Sequence, residues 1–225
     1  MIKLIVKFLL KKIINLINFK YIQLLYFYKQ TIDFRKKLKN LKIYSSREKL
    51  FEEFIDKTSE IQILEFGVFR GNSINFLAKL NSNPKTKIYG FDSFEGLSDE
   101  WDYRMFGGKK KGHFKVNDIN DLEITDSRIK LIKGYFNEIL KKNLYLLSKS
   151  KKTYIHFDAD LYSSTLFCLS SLHGYFKSYT AFFDEFPISE CSALNDYISS
   201  YNVEVKYLGK TKDNVRVACE IISKF

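Results

Sequence analysis

The sequence predicts an α/β domain, a mostly parallel, doubly wound sheet ending in a C-terminal antiparallel strand pair, with a helical extension in front of it. Three observations carry this reading. From residue 51 onward, short apolar runs rich in Ile, Phe and Tyr alternate with amphipathic stretches, the pattern of a parallel sheet wrapped on both faces. Residues Ile61 to Ser73 read as strand, tight turn and helix start, with Gly67 and Gly71 bracketing the turn. Finally, Glu65, Asp92, Asp158 and Asp184 fall at the carboxyl ends of expected strands, the edge of such sheets where ligands bind.

The 225 residues, 45% hydrophobic, suffice for one domain with an appendage. The net charge of +11 is carried by residues 1–50, which hold 13 Lys and Arg against Asp33 and Glu48; the remainder balances 24 bases with 24 acids. No basic face for nucleic acid is implied in the domain proper. The chain therefore divides into a basic amphipathic helical extension, 1–50, and a folded domain, 51–225. Within the extension, Lys3, Lys7 and Lys11 share one helical face among Ile, Leu and Phe. No uncharged run approaches the roughly 20 residues of a membrane span, and no cleavage site marks a secretory signal. Two readings stay open for residues 1–30: peripheral contact with an anionic membrane surface, or packing on the domain or in a homo-oligomer. Residues 31–50 read as a basic connector or second helix. Cys168, Cys191 and Cys219 lack metal-ligand spacing, and an odd, unframed count points to reduced thiols in a cytoplasmic setting.

Along the domain, a helix is expected over Glu48 to Thr58, then strand Ile61–Phe66, helix Asn72–Leu80 and strand Lys87–Asp92. Residues 93–127 are long and polar with four glycines, a length that in compact domains accompanies lids. Strand Arg128–Lys133, helix Phe136–Leu147, strand Thr153–Asp158 and helix Ser163–Phe176 follow. Strand Tyr179–Asp184, helix Ser189–Tyr201 and the pair Val203–Leu208 and Val215–Ile221 complete the chain.

The glycine turn is spaced Glu65-x-Gly67-x-x-x-Gly71-x-Ser73, not the G-x-G-x-x-G that a pyrophosphate requires. Glycines there let a ligand approach the backbone, and Asp92 on the next strand can accept both hydroxyls of a ribose. Glu65 would repel phosphate but suit a cationic ligand, such as a sulfonium bearing an ammonium group; a plain strand-to-helix turn is the alternative. Asp158-Ala159-Asp160 and Asp184-Glu185 crowd four carboxylates at neighbouring strand ends. Such crowding is costly unless a cation neutralises it, and Mg²⁺ with oxygen ligands answers that need. The alternative is that these acids cap helices or face solvent. A metal-bound hydroxyl, with an aspartate to take its proton, would make a nucleophile from an alcohol.

These strings resemble the macrocin O-methyltransferase family, S-adenosylmethionine-dependent sugar O-methyltransferases with the Rossmann-like class I methyltransferase fold. The resemblance runs over roughly residues 60–190 through ILEFGVFRGNSI, IYGFDSFEGL, Gly112-His113-Phe114, IKLIKGYFNEIL, HFDADLYSST and FFDEF. It implies that Glu65, Gly67 and Ser73 surround the methionine part of the cofactor, with Gly71 also a cofactor-binding residue. Asp92 would hold the ribose, with Ser93 and Phe94 beside the adenosine and Gly134 and Phe136 on the adenine side. Asp158, Asp184 and Glu185 would hold Mg²⁺, although family members commonly carry two aspartates where this chain has Asp184-Glu185. Asp158, with Asp160, would handle the hydroxyl proton. His113 would meet a substrate oxygen or the methionine carboxylate, or else is a surface histidine. His156 and His173 read as structural, and Tyr162 and Ser163 as helix-start residues. The acceptor implied is a small-molecule sugar or glycan precursor, as in polysaccharide biosynthesis. Two rivals remain: a metal-dependent glycosyltransferase using Asp158-Ala159-Asp160, and a non-catalytic membrane-associated binding module.

Overall fold

The computed structural model describes residues 19–101 and 108–224. The expected face of Lys3, Lys7 and Lys11, and residues 102–107 of the expected lid, Tyr103 among them, lie outside these residues. The elements are α1 (Phe19–Lys37), β1 (Lys42–Tyr44), α2 (Arg47–Phe54), β2 (Ile61–Phe66), α3 (Asn72–Leu80), β3 (Lys87–Asp92), β4 (Ile129–Lys133), α4 (Phe136–Asn143), β5 (Lys152–Phe157), α5 (Tyr162–Leu172), β6 (Ser178–Phe183), α6 (Cys191–Ser200), β7 (Val203–Thr211) and β8 (Val217–Ser223). The eight strands form one sheet in the order β1-β7-β8-β6-β5-β2-β3-β4. Only β8 runs against its neighbours, β6 and β7.

The alternation of side chains along each strand builds two cores. Ile61, Ile63, Ile88, Tyr154 and Phe182 pack beneath α2 and α3, against Leu50, Phe51, Ile74 and Leu77. Leu64, Phe66, Phe91, Ile155, Phe157 and Phe183 face the other way, toward α1, α4, α5 and α6. β2 is buried along its whole length, as a central parallel strand should be.

Residues 31–50, expected as a basic connector or second helix, hold the end of α1, the strand β1 and the start of α2. α1 runs through residue 31 and docks on the domain: Tyr26 Oη donates to Asp196 Oδ1 at 2.7 Å, and the Phe34 ring meets Phe186 and Tyr207 edge-on at 5.3 and 5.8 Å. β1 then adds an edge strand parallel to β7. Its three residues carried too short a signal to be read as a strand. Ser46 caps α2 by accepting from Lys49 N–H. A π-helical turn, Phe186–Glu190, precedes α6, so the helix expected from Ser189 begins as an α-helix only at Cys191.

Arg128 ties the β3–β4 edge to α3. Its guanidinium donates to the carbonyls of Ala78, Asn81 and Asn83 at 2.7–2.9 Å and grips both oxygens of Asp126. It thus adds a charged donor to carbonyls at and just beyond the C-terminus of α3, of which Ala78 O and Asn83 O also accept from Asn81 N–H and Thr86 N–H. Arg128→Ala is expected to cost about 2–3 kcal/mol in urea unfolding, and Arg128→Lys to recover little, because an ammonium cannot span five acceptors.

Candidate active site

The sheet carries its own hydrogen bonding past the strand ends. Gly67 N–H donates to Phe91 O at 3.0 Å, Asp158 N–H to Phe66 O at 2.9 Å, Asp184 N–H to Phe157 O at 3.0 Å and Gly134 N–H to Asp92 O at 2.9 Å. These four bonds align the glycine turn, the two acidic strand ends and the β4 end along one crest. A cavity of about 1010 Å³ opens above it, with Gly67, Asp92, Ser93, Gly134 and Phe136 in one half of the lining and Asp158, Asp160, Asp184 and Glu185 in the other. That volume is ample for a nucleoside and a second small molecule.

Asp92 shapes the first half. Its Oδ2 accepts from Val68 N–H at 2.7 Å and Phe69 N–H at 2.9 Å, and its Oδ1 from Phe94 N–H at 2.7 Å. One carboxylate therefore holds the glycine turn and the loop after β3 together. Gly67 sits at φ +93°, and a Cβ there would overlap the Asp158 carbonyl oxygen. Phe69, Phe94 and Asp160 are non-glycine residues at φ 48°, 57° and 57°. Phe69 and Asp160 line the cavity, so backbone strain concentrates around it.

The second half rests on a buried charge chain. In the β2–β5 register Glu65 lies opposite His156, and His156 Nδ1–H donates to Glu65 Oε1 at 2.7 Å. His156 Nε2 stands 3.8 Å from Asp184 Oδ1, an ionic contact rather than a hydrogen bond. Arg47, at the start of α2, donates to Asp184 Oδ1 at 2.9 Å and stands 3.7 Å from Asp158 Oδ2; Arg216 reaches Asp184 at 3.4 Å.

Burial would lower His156, but the Asp184 and Glu65 carboxylates raise it to about 9. Burial would raise Asp184, but His156, Arg47 and Arg216 hold it below the usual carboxylate range. Burial and the Asp184 charge push Asp158 up to about 7. Burial and the Asp158 charge push Asp160 up to about 8, and Glu185 is raised by burial and Asp184. Beneath them Glu190, fully buried, accepts from Glu185 N–H at 3.0 Å, and burial pushes its carboxyl well up.

His156, Asp158 and Asp184 each offer a ligand atom within 4.8 Å of the others. His156 Nε2 is buried without a hydrogen-bond partner, and its Nδ1 is held by a carboxylate, as in metal-ligating histidines. With His156 neutral and unprotonated at Nε2, the donor set fits a divalent cation. Glu185 lies outside that close group, although it lines the cavity.

Several expected contacts are redrawn. Glu65 is turned beneath the sheet crest toward His156, because a fully buried carboxylate needs that partner, and it does not line the cavity. Gly71 is the left-handed cap of α3, and Ser73 is buried in that helix's first turn; neither lines the cavity. The Phe94 ring belongs to the core beneath α3, leaving its backbone near the site. His113 is exposed, because positive φ at Gly112 and Phe114 turns Phe114 inward instead. Ser163 lines the cavity, whereas Tyr162 donates to Asp196 Oδ2 at 2.7 Å. Trp101 also lines it. Arg47 and Arg216 were not anticipated; they lie far from the motifs in sequence and show no local signal. His156, expected to be structural, is central to the charge chain.

The sequence profile of the family described as Macrocin-O-methyltransferase (TylF) matches residues 31–204. Among solved structures, CalS11, a calicheamicin methyltransferase, is similar with a TM-score of 0.54 at 19% identity, over 86% of this chain and 91% of that one. A putative O-methyltransferase from Klebsiella pneumoniae gives 0.50 at 13% identity, over 90% of each chain. An O-methyltransferase from Bacillus cereus in complex with SAH gives 0.50 at 11% identity, over 88% of this chain and 91% of that one. At such identities the likeness is one of fold. No curated protein gives a significant match.

Gly67→Ala combines an overlap with strained backbone and should lower the melting temperature by roughly 10 °C. Gly112→Ala, at φ +79° but with nothing nearer than 4.0 Å to the added carbon, should cost about a third of that. Differential scanning fluorimetry of the pair checks the contrast.

Proposed function

Since the chain belongs to the macrocin O-methyltransferase family and is an S-adenosylmethionine-dependent O-methyltransferase, we propose that it methylates a hydroxyl of a sugar or glycan precursor with the assistance of Mg²⁺. The observation that carries this is the single cavity in which the Gly67–Asp92 turn and the Asp158, Asp160, Asp184 and Glu185 carboxylates face common space. S-adenosylmethionine supplies the electrophilic methyl group on sulfur. Gly67, whose missing side chain lets the Asp158 carbonyl close in, would present its backbone to the methionine part, and Asp92 would accept from the ribose hydroxyls. Ser93 lies beside the adenosine, with Gly134 and Phe136 on the adenine side. The substrate hydroxyl sits against Asp158. As its oxygen bonds to the methyl carbon, the carbon–sulfur bond breaks, sulfur keeps the electron pair, and Asp158 takes the proton, with Asp160 beside it. Proximity and alignment supply much of the rate. Asp158 and Asp184 would hold the cation, with Glu185 on the cavity side and His156 Nε2 beneath; when bound, it would polarise the hydroxyl.

What supports Asp158 over His113 as the proton acceptor is position: Asp158 lines the cavity and the His113 ring does not. The glycosyltransferase alternative would set a sugar diphosphate against carboxylates already crowded enough to raise one another.

By isothermal titration calorimetry, S-adenosylhomocysteine should bind and UDP-glucose should not; the reverse would end the methyltransfer reading. With labelled methyl donor and candidate sugars or glycan extracts, Asp158→Asn should lower turnover at least about 100-fold while cofactor affinity changes only a few-fold. EDTA treatment should abolish most turnover and Mg²⁺ restore it, with Mn²⁺ binding followed separately by electron paramagnetic resonance. Full activity after chelation, with no Mn²⁺ bound, would remove the metal.

A further inference from the structure

Among the described residues, six large hydrophobic side chains are exposed, and four of them, Leu25, Tyr26, Tyr28 and Ile32, lie on α1. Scattered exposed apolar residues need no explanation, but a concentration on one helix does. Tyr26 is tied to Asp196. Leu25, Tyr28 and Ile32 are 67%, 47% and 41% exposed. At about 100° per residue they share roughly one third of the helix circumference with Lys29, Arg35 and Lys36. These three bases are exposed. The docking residues Thr31 and Phe34, and Leu38 just past the helix end, are buried and fall outside that third of the circumference. The helix thus has one apolar face turned to its own domain and a second, apolar and basic, turned to solvent.

We propose that this outer face of α1 lies on an anionic lipid bilayer, with Leu25, Tyr28 and Ile32 in the acyl boundary and Lys29, Arg35 and Lys36 among the headgroups. Interfacial helices combine these two elements, apolar area and bases that meet lipid phosphate. Charge selects this occupant over a second copy of the chain, because a two-fold contact would press one basic patch against another. The surrounding sequence points the same way, with 13 bases and 2 acids in residues 1–50. No helix among the described residues is long and apolar enough to cross a membrane, so the contact is peripheral. This surface is independent of what the cavity does.

The test is co-sedimentation of the full chain with vesicles of phosphatidylcholine alone and of phosphatidylcholine with phosphatidylglycerol. Binding should require the anionic lipid and fall with salt. The variant Lys29→Gln/Arg35→Gln/Lys36→Gln should weaken it about 100-fold, near five-fold for each charge. Leu25→Ser/Ile32→Ser should weaken it at least about ten-fold while leaving the charge intact. None of these side chains lines the cavity, so S-adenosylhomocysteine affinity and melting temperature should be unchanged, which separates lost docking from lost folding. Equal binding to both vesicles, or unaltered binding by the variants, overturns the proposal. So does a dimer in analytical ultracentrifugation that Leu25→Ser/Ile32→Ser dissociates while vesicles leave the protein in solution.

Discussion

The site depends on a line of alternating charge buried beneath it: Glu65, His156, Asp184, and then Arg47 and Arg216. Each member comes from a different part of the fold: β2, β5, the end of β6, the start of α2 and the approach to β8. His156 is 1% exposed and Glu65 fully buried, and the Phe51 ring meets the imidazole edge-on at 5.1 Å. In such a dry setting a charge left without its partner costs several kcal/mol. The pairing therefore disfavours a slipped strand register, since a shift of one residue would send Glu65 and His156 to opposite faces of the sheet. It also charges the floor of the cavity, because the oxygen of Asp184 that takes both arginines belongs to a cavity-lining residue.

The strand ends were the most legible part of the sequence. Apolar runs closing on an acid gave Asp92, Asp158 and Asp184 their places, and the structure sets all three around one cavity. Gly67 was legible for the same reason: a glycine directly after a buried strand signals close backbone approach. Glu65 shows where this reasoning stops. An acid two residues before a glycine turn has the same appearance whether it faces a ligand or a buried histidine 91 positions away. Side-chain direction at a strand end depends on the partner strand, and a single sequence does not display pairing. Arg47 and Arg216 were hidden for that reason, and so was the role of His156. His113 and Phe114 differ by one position, and the positive φ at Gly112 and Phe114 decides which of them turns inward. The family resemblance carried the motif's roles but not these orientations.

Crowded carboxylates need compensation, and the chain supplies it in two ways. Asp184 is compensated by His156, Arg47 and Arg216 and stays acidic, while Asp158 and Asp160 are pushed toward neutrality. Environments that drive neighbouring carboxyls apart divide labour among chemically similar groups. The least compensated group, Asp160, also bears a left-handed backbone, fixed where Ser189 Oγ donates to its carbonyl at 2.6 Å. Strain and desolvation therefore coincide on the segment that would meet the acceptor.

The π-helical turn Phe186–Glu190 links this acidic floor to the N-terminal helix. From its interior, Ser189 holds the Asp160 carbonyl and Glu190 holds the Glu185 N–H. On its outer side Phe186 takes the edge of Phe34 from α1. α1 is thus packed two contacts away from the cavity lining, through the buried aromatic pair Phe34–Phe186. A helix joined in this way transmits position: whatever surface its outer face rests on, the cavity is held at a fixed attitude to that surface. Phe34 is 2% exposed and Leu38 1%, so this docking is part of the main core. It follows that residues outside the strings of the resemblance help set the geometry within them, and that α1 is a support of the site as well as the surface proposed to meet a membrane.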